Sequence, residues 1–270
     1  MHEMWVWREK AGLKYLTLPA WEEAGVEIGF SSRGGGVSEQ HFSSLNLGLH
    51  VGDEPQRVLE NRRRWLGLWQ ADWNEVAIAE QVHGTGVVWL DAEAGGRGSR
   101  DLRTAIPGTD GLLTKDKLGL MAFFADCVPL FFYHPKLKAV GIAHAGWKGT
   151  AGKIALPVLD ELAQAGGQAE DCWAAIGPAI GPCCYEVDEP VAARLRTNFT
   201  ETVFLRPSQD GHYQLDLWQA NKEILLGAGI KPEHIWSAEL CTACRPAEFF
   251  SHRRDGGLSG RLAGWIRRRS

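Results

Sequence analysis

The sequence predicts a single-domain α+β fold, because short apolar runs of strand length mix with helical stretches and no linker divides the chain. The 270 residues are enough to bury a substantial core. An apolar fraction of 44%, with 32 glycines and 12 prolines, is typical of a globular protein with many tight turns. Twelve tryptophans predict several aromatic clusters in the core. We therefore expect residues 1–270 to form one domain.

The N-terminal quarter is predicted to begin with strands and to end in a helix. Residues 4–19 have the pattern of a hairpin that turns at Lys10-Ala11-Gly12, and residues 26–30 form a further short strand. A glycine-rich loop follows at residues 31–38. The acidic residues before Pro55 predict the start of a helix that continues to about Leu68.

Apolar runs of strand length recur through the rest of the chain. They predict strands at residues 76–81, 87–90, 111–113, 120–125, 130–133, 139–144, 173–176 and 235–241. Helices are predicted over residues 149–165, with a kink at Pro157, and over 189–198 and 217–227. After the last strand we expect an irregular tail, and we interpret Arg267-Arg268-Arg269 as its solvated end.

Charge and composition exclude several classes of protein. A net charge of −4 and an isoelectric point near 6.1 provide no basic face for nucleic acid. The sequence contains no apolar stretch of about 18 residues that could span a membrane. Its N-terminal stretch, from Met1 to Glu9, lacks a basic region followed by an apolar one, so we expect a cytoplasmic protein. Six cysteines, two of them adjacent, are then expected to remain free thiols in a reducing compartment.

Two histidines and a cysteine stand where predicted strands end and a glycine or proline follows within two residues. They are His83 in Gln-Val-His-Gly, Cys127 in Ala-Asp-Cys-Val-Pro and His144 in Ala-His-Ala-Gly-Trp. Residues at strand ends are often brought together in open sites. Two imidazoles and one thiolate leave the fourth tetrahedral position of a zinc ion open, which is typical of a catalytic site rather than a structural one.

The same residues allow other interpretations. Each histidine alone could be a buried, hydrogen-bonded side chain, and Cys127 alone could be an inert core thiol. A second chemical interpretation makes Cys127 a nucleophile, His144 its base and Asp126 the group that orients the ring. The sequence alone does not decide whether Cys127 binds a metal ion or acts as a nucleophile. A coupled copper centre is disfavoured, because none of the nine histidines forms a His-x-His pair.

The remaining cysteines offer a weaker pattern. Cys241 and Cys244 form a Cys-x-x-Cys motif that could be half a zinc site or a redox pair, but no second pair stands at finger spacing. We interpret Cys183 and Cys184 as packing under the loop of residues 177–182. The role of Cys241 and Cys244 therefore stays open.

Many ordered motifs together resemble one known family. They are Ser-Arg-Gly-Gly-Gly-Val-Ser at 32–38, Ser-Leu-Asn-Leu-Gly at 44–48, Glu-Asn-Arg-Arg at 60–63, the three runs around His83, Cys127 and His144, Ile-Gly-Pro-Cys-Cys-Tyr-Glu-Val at 180–187, and Phe-Phe-Ser-His-Arg-Arg-Asp-Gly at 249–256. The chain resembles the family named multicopper polyphenol oxidase, laccase-domain protein or peptidoglycan editing factor. Its members are regarded as zinc-dependent purine nucleoside phosphorylases with adenosine deaminase activity.

The resemblance implies a single-domain, layered α-β-β-α sandwich with mixed sheets. It implies that His83, Cys127 and His144 bind one zinc ion per chain. The implied substrates are small molecules, namely adenosine, inosine or methylthioadenosine with phosphate as co-substrate for phosphorolysis, and adenosine for deamination. Another family name implies hydrolysis of a peptidoglycan precursor by Cys127, and a third implies a copper-dependent polyphenol oxidase. We expect a monomer.

Several further residues are candidates for substrate contacts. Arg33 with the backbone amides of residues 34–36 could cradle a phosphate, with Arg62 and Arg253 as additional donors. Asn46 could bind the base or the ribose. Asp126 could shuttle a proton or orient a metal ligand, and we favour the second role. The sequence departs from the family pattern at Lys148, where arginine is usual, and at His252, where tyrosine is usual.

Overall fold

The computed structural model describes residues 4–269. Met1, His2, Glu3 and Ser270, which the domain and N-terminal predictions include, lie outside the described residues. The strands are β1 (Val6–Lys10), β2 (Leu13–Thr17), β3 (Val26–Ser31), β4 (Val76–Ile78), β5 (Val87–Leu90), β6 (Gly111–Thr114), β7 (Gly119–Phe124), β8 (Val128–His134), β9 (Ala139–Ala145), β10 (Trp173–Ile176), β11 (Glu186–Val187), β12 (Leu205–Pro207), β13 (Tyr213–Leu215), β14 (Ile235–Ser237) and β15 (Leu262–Arg268). The α-helices are α1 (Pro19–Glu23), α2 (Pro55–Leu68), α3 (Trp147–Ala151), α4 (Ala155–Gln164), α5 (Glu189–Asn198) and α6 (Leu217–Gly227).

The strands form two large mixed sheets and one small sheet. The first large sheet has the order β1-β2-β3-β15-β7-β4, and the second has the order β14-β10-β8-β9-β6-β5. Most neighbours are antiparallel, but β4 is parallel to β7, β5 to β6 and β14 to β10. Strands β11, β13 and β12 form the small antiparallel sheet.

Three hydrophobic clusters separate four layers. Between the two large sheets lies a cluster that includes Phe30, Phe124 and Phe131. On the outer face of the first sheet, Trp65 of α2 belongs to a second cluster. On the outer face of the second sheet, a third cluster includes the buried residues of α4, α5 and α6, such as Leu159. Because each sheet is apolar on both faces, helices cover the outer faces, and the predicted α-β-β-α sandwich is confirmed.

The C-terminal strand β15 corrects the prediction of an irregular tail. It lies in the middle of the first sheet, where it pairs antiparallel with both β3 and β7. Trp265 is fully buried, and its ring stacks on that of Trp69 with centroids 5.7 Å apart. Arg267 is not a solvated residue, because its Nε donates a 2.8 Å hydrogen bond to the largely buried Glu27. The run of arginines resembles a solvated tail in the sequence, because Glu27, which pairs with Arg267 and Arg269, comes from the other end of the chain.

Helix and strand boundaries also differ locally from the prediction. The helix expected over residues 149–165 is two helices, α3 and α4, and the break lies before α4 rather than at Pro157. The chain turns there at Lys153, whose φ is +55°, a conformation that ends a helix. Pro157 is instead in the first turn of α4, where the missing N–H costs no hydrogen bond. No helix in residues 4–269 is long and apolar enough to cross a membrane.

Candidate metal centre and active-site cleft

The three predicted ligands lie where the chain passes between the two large sheets. The connection from β4 to β5 leaves the first sheet and enters the second, and it carries His83. The connection from β7 to β8 makes the same crossing and carries Cys127. His144 is the penultimate residue of β9, which pairs with β8. Crossings at the same end of the sandwich therefore bring three residues that are distant in sequence to one place.

The side chains of the three residues converge as ligands of one ion would. Their nitrogen and sulfur donor atoms all lie within 4.8 Å of one another. The rings of His83 and His144 are perpendicular, at 81°, with centroids 4.7 Å apart. His144 is buried, Cys127 is half-buried and His83 is exposed, so the group is open on one side. The predicted three residues are thus brought together, and the site could hold a metal ion with one position free for a small molecule.

Asp110 holds both histidines from behind the site. Its Oδ1 accepts a 2.9 Å hydrogen bond from His144 Nδ1 and a 3.0 Å hydrogen bond from the backbone N–H of His83. Its Oδ2 accepts hydrogen bonds from the backbone N–H groups of Val82 and Gly84. The bond to Nδ1 fixes the orientation of the ring and leaves Nε2 of His144 free to bind a metal ion.

The turn that carries His83 is strained and is stabilised by the same carboxylate. Gln81 and His83 have φ values of +64° and +61°, which non-glycine residues seldom adopt. The three N–H groups of residues 82–84 converge on the buried Asp110 carboxylate, and such a ring of donors stabilises an anion. Asp110 therefore determines where the His83 side chain points.

The charges of the site shift the pKa values of the metal-free ligands in opposite directions. Burial alone would raise the pKa of Cys127, but the imidazoles of His144 and His83 lower it to about 6. Burial alone would lower the pKa of His144, but the Cys127 sulfur and the Asp110 carboxylate raise it to about 9. Hydrogen bonds from His144 and the turn outweigh burial and lower the pKa of Asp110. Near neutral pH the metal-free site holds a thiolate beside an imidazolium.

A cleft opens on the exposed side of the three ligands and has two lobes. The larger lobe has a volume of about 610 Å³ and is lined by His50, Arg103, Phe123 and Arg261 among others. The smaller lobe has a volume of about 370 Å³ and is lined by Trp147, Lys148, Tyr185 and Arg253 among others. His83, Cys127 and His252 line both lobes, so the ligand site lies where the lobes meet. A molecule that occupies both would pass directly over it.

Two of the predicted substrate residues, Arg62 and Asn46, form hydrogen bonds within the fold instead. Arg62 is fully buried, and its guanidinium donates to the backbone carbonyls of Leu47, Gly98 and Ser99. Asn46 is also fully buried and bonds to residues 48 and 53 and to the N–H of residue 261. The prediction that Arg62 and Asn46 contact the substrate is wrong, because a side chain without exposed surface cannot contact a substrate.

The predicted phosphate cradle at Arg33 is used within the fold as well. Arg33 donates to the carbonyls of Ser43 and Pro246, and its guanidinium lies 4.5 Å from the centre of the Phe250 ring. The amides of residues 34 and 36 donate to serine hydroxyls of the same loop region. Neither lobe of the cleft is lined by this loop. The loop braces the C-terminal segment rather than facing the ligands.

Asp126 and Arg253 lie beside the site, but Asp126 does not orient His144. The Asp126 carboxylate accepts hydrogen bonds from the Thr242 hydroxyl at 2.6 Å and from the Arg253 backbone N–H at 2.7 Å. These bonds hold Asp126 at a φ of +84°, immediately before Cys127. Arg253 lines the smaller lobe and lies over the ring of Tyr185, 4.8 Å from its centre. The orienting role proposed for Asp126 therefore belongs to Asp110, and Asp126 positions the loop that carries Cys127.

Sequence reasoning missed Asp110 and the charged wall of the larger lobe. Asp110 stands in Gly-Thr-Asp-Gly immediately before β6, and the signal in the sequence was an aspartate directly before a predicted strand. Arg261 lies before β15, in the segment that was expected to be irregular. His50 faces the same lobe, and burial together with the charges of Arg261 and Arg62 lowers its pKa to about 4. His50 is consequently neutral at pH 7.

The fold and the site together define a class of protein: a layered sandwich with a three-ligand His-Cys-His centre between its sheets and an open cleft above it. Residues 27–269 match the family model described as multi-copper polyphenol oxidoreductase laccase, and the chain belongs to this family. The match covers every strand from β4 to β15 and all three ligands.

Named relatives are similar over almost their whole length. The purine nucleoside phosphorylase YlmD of Geobacillus stearothermophilus is 44% identical over 258 residues, which cover 91% of each chain. Adenosine deaminase RL5, from an unknown prokaryotic organism, is 32% identical, and the match covers 88% of this chain and 92% of that protein. The crystal structure of YlmD from Geobacillus stearothermophilus has a TM-score of 0.93 at 42% identity and covers 98% of this chain and 99% of that chain. The fold predicted from the sequence is therefore that of solved relatives.

Proposed function

We propose that this protein is a metal-dependent purine nucleoside enzyme that cleaves purine nucleosides with phosphate and deaminates adenosine. The observation that carries the proposal is the convergence of His83, Cys127 and His144 at the floor of a two-lobed cleft. Relatives named purine nucleoside phosphorylase and adenosine deaminase, which align over about nine-tenths of the chain, support the same chemistry.

We propose zinc as the metal, with about one ion per chain at this site. Two nitrogen donors and a thiolate suit zinc better than they suit magnesium or calcium, which prefer oxygen ligands. A bound zinc ion would supply a Lewis acid and a water molecule that loses its proton near neutral pH. Among the residues that line the cleft, two imidazoles and one thiolate converge, which is fewer imidazole ligands than a coupled copper centre needs.

The residues of the chain would provide the rest of the chemistry. Asp110 keeps Nε2 of His144 free to bind the metal, and Asp126 fixes the Cys127 loop. The planar rings of Tyr185 and Trp147 in the smaller lobe suit stacking with a purine. Arg253 adds positive charge beside them and is our candidate for a substrate contact.

The larger lobe suits the phosphate. Arg261 points into this lobe while it donates to the carbonyls of Ser259 and Gly260. Burial lowers the pKa of Arg261, but an arginine keeps its charge at neutral pH. Arginine binds phosphate oxygens through several N–H donors in one plane, so we propose that Arg261 takes the role first assigned to Arg33 and Arg62.

A cysteine-dependent hydrolase that edits peptidoglycan precursors is the second candidate. The observation that favours it is the thiolate of Cys127 beside the imidazolium of His144, because such a pair is also a nucleophile and its base. The two candidates differ in substrate and in the need for metal, and one experiment separates them.

That experiment is chromatographic product analysis with three substrates: adenosine, inosine plus phosphate, and a muropeptide precursor. We expect inosine or adenine from adenosine and hypoxanthine from inosine, and no amino acid from the precursor. Cys127→Ala should abolish these products while the far-ultraviolet circular dichroism spectrum stays unchanged. Cys172→Ala is the matched control, because Cys172 is a buried thiol in the outer helical cluster. Amino acid release from the precursor, without nucleoside products, would support the hydrolase instead.

We further propose that the protein acts as a monomer in the cytoplasm. All three ligands and both lobes come from one chain, so the site needs no second copy. None of the six cysteines, all of which lie in the described residues, forms a disulfide, which supports a reducing compartment. Sedimentation velocity of the purified protein tests the first statement: a single species of 29.8 kDa is expected, and a stable dimer would contradict it.

A further inference from the structure

Four cysteines outside the cleft form a second cluster of metal-binding side chains. Cys183 and Cys184 lie in the turn after β10, and Cys241 and Cys244 lie in the turn after β14. The four sulfur atoms all lie within 4.8 Å of one another. We call this group the thiol cluster. The sequence interpretation of Cys183 and Cys184 as mere packing residues did not bring the two pairs together, because the pairs are about 60 residues apart.

The spacing of the sulfur atoms fits ligands of one ion better than it fits disulfides. Cys244 Sγ lies 3.4 Å from Cys183 Sγ and 3.3 Å from Cys184 Sγ. A disulfide would need about 2.05 Å. Four thiolates around a tetrahedral zinc ion, each at about 2.3 Å from it, lie about 3.8 Å apart. One sulfur that is close to two others also indicates a shared centre rather than separate pairs.

The backbone around Cys241 is arranged to stabilise a thiolate. The N–H groups of Gly181 and Cys244 donate hydrogen bonds to Cys241 Sγ. Gly181 can approach this closely because it has no side chain: a Cβ there would lie 2.5 Å from the Trp218 ring. The Arg254 guanidinium pairs with Asp255 and donates to the carbonyls of Thr242 and Ala243, so it fixes the turn between Cys241 and Cys244. Hydrogen bonds from backbone N–H groups favour the ionised form of the Cys241 sulfur.

We propose that the thiol cluster is a structural zinc site, separate from the His-Cys-His centre. Four protein thiolates fill every position of a tetrahedral zinc ion, so no place is left for water or substrate. Binding would release the protons of the four thiols to solvent and would involve no oxidation or reduction. The site would fasten the turn after β10 to the turn after β14.

The two turns that the ion would fasten form part of the cleft wall. Thr242, between Cys241 and Cys244, donates its hydroxyl to Asp126 at 2.6 Å. Ile180, just before the other cysteine pair, donates its N–H to the Asp126 carbonyl at 3.0 Å and lines the smaller lobe. A closed metal site behind them would hold Asp126, and through it the Cys127 loop, in place.

Metal counting tests the proposal in the full-length protein. Wild-type protein, purified without metal-affinity resin and given excess zinc before desalting, should retain about two zinc ions per chain by mass spectrometry. The double variant Cys183→Ser/Cys244→Ser should retain about one, and so should His83→Ala, because each removes one site. Cys172→Ser is the control and should retain about two. A double variant that retains as much zinc as the wild type would overturn the proposed site at the thiol cluster. If His83→Ala retains as much zinc as the wild type, the His-Cys-His centre binds none, and that result contradicts only the proposed function.

A second measurement needs no variant and therefore no assumption about folding. Wild-type protein is treated with an alkylating reagent, with zinc or after chelation, and the labelled peptides are identified by mass spectrometry. Cys183 and Cys244 are exposed, so without metal the reagent should label both. Zinc should protect both, and chelation should restore the labelling. Equal labelling with and without zinc would contradict the proposal, as would a disulfide among these four cysteines in protein prepared with reductant.

Discussion

Asp110 Oδ1 lies 2.9 Å from His144 Nδ1 and accepts a hydrogen bond from it, while the same oxygen accepts a hydrogen bond from the backbone N–H of His83. One carboxylate oxygen thus holds two of the candidate ligands, one in the connection from β4 to β5 and the other in β9. Asp110 touches neither the cleft nor the proposed metal, and it acts through the residues that it positions.

Replacing Asp110 with asparagine should weaken metal binding without unfolding the protein. The neutral amide cannot accept all four hydrogen bonds, and it no longer stabilises the turn at His83 or the ring of His144. We expect zinc affinity at the His-Cys-His centre to fall about 10–100-fold, as measured by competition with a chromophoric chelator. Asp171→Asn, which removes the half-buried carboxylate that pairs with Lys136, should leave affinity unchanged. Unchanged zinc affinity in Asp110→Asn would show that Asp110 does not position His83 and His144 for metal binding.

A methyl group at Gly146 should disturb the centre directly. A Cβ at this position would lie 2.9 Å from Cys127 Sγ and 3.3 Å from a carbon of the His83 ring. Since β9 and α3 fix the backbone of Gly146, the Cys127 side chain would have to move. We expect Gly146→Ala to fold normally but to lose most of its zinc affinity and turnover.

Gly67→Ala provides the matched control for that variant. A Cβ at Gly67 on the surface of α2 would meet nothing within 4 Å. Because alanine favours the helix over glycine, this change should raise the free energy of unfolding by about 0.5–1 kcal/mol and leave turnover as it was. If both variants retained turnover, the close packing of Gly146 against Cys127 would not matter for the site.

Zinc binding at the His-Cys-His centre should release protons in a way that depends on pH. The pKa of His144 is raised to about 9 and that of Cys127 is lowered to about 6 in the metal-free site. Between these values Cys127 is already ionised, whereas His144 must lose its proton before it can bind the metal. Affinity should therefore rise about tenfold per pH unit from pH 7 to 8.5, with about one proton released per ion.

Isothermal titration calorimetry in two buffers with different heats of ionisation measures this proton release. The protein should carry Cys183→Ser and Cys244→Ser, so that only the His-Cys-His centre takes up zinc. Below pH 6 Cys127 becomes protonated as well, and affinity should fall more steeply. Binding that is independent of pH between 7 and 8.5 would show that His144 is neutral in the metal-free site.

The C-terminal strand should be essential to the core. Trp265 of β15 is fully buried and stacks on Trp69. Trp265→Ala should lower the free energy of unfolding by about 3–5 kcal/mol in urea titrations, because it removes a large buried side chain and leaves a cavity. Leu258→Ala, at an exposed position shortly before the strand, should change it by less than about 0.5 kcal/mol. A small effect at Trp265 would restore the original interpretation of the tail.

The features of the fold and the site that could be predicted from the sequence are those that a short stretch of residues indicates. His83, Cys127 and His144 each follow or end an apolar strand, so a pattern of a few residues was enough to select them. The hairpin at β1 and β2 and the helix α2 were predicted for the same reason. Strand β15 was missed because Arg267, and Arg269 just after the strand, are paired with Glu27, more than 200 residues away in sequence.

Residues whose role depends on distant contacts could not be assigned from the sequence. Arg62 and Asn46 are polar and stand in conspicuous motifs, but in the fold both are fully buried and form hydrogen bonds with the backbone. Asp110 acts on His144, 34 positions away, and nothing near it in the sequence identifies its partner. The thiol cluster joins two cysteine pairs by a contact that only the fold creates.

We propose that His83, Cys127 and His144 hold the metal on which turnover of nucleosides depends. The most direct measurement is the rate of product formation from adenosine, and from inosine with phosphate, as zinc is titrated back into chelated protein that carries Cys183→Ser and Cys244→Ser. We predict no turnover without metal and a rate that rises in proportion to zinc until about one ion is bound per chain. Full turnover by the metal-free protein would contradict this dependence on metal and would favour Cys127 as a nucleophile instead.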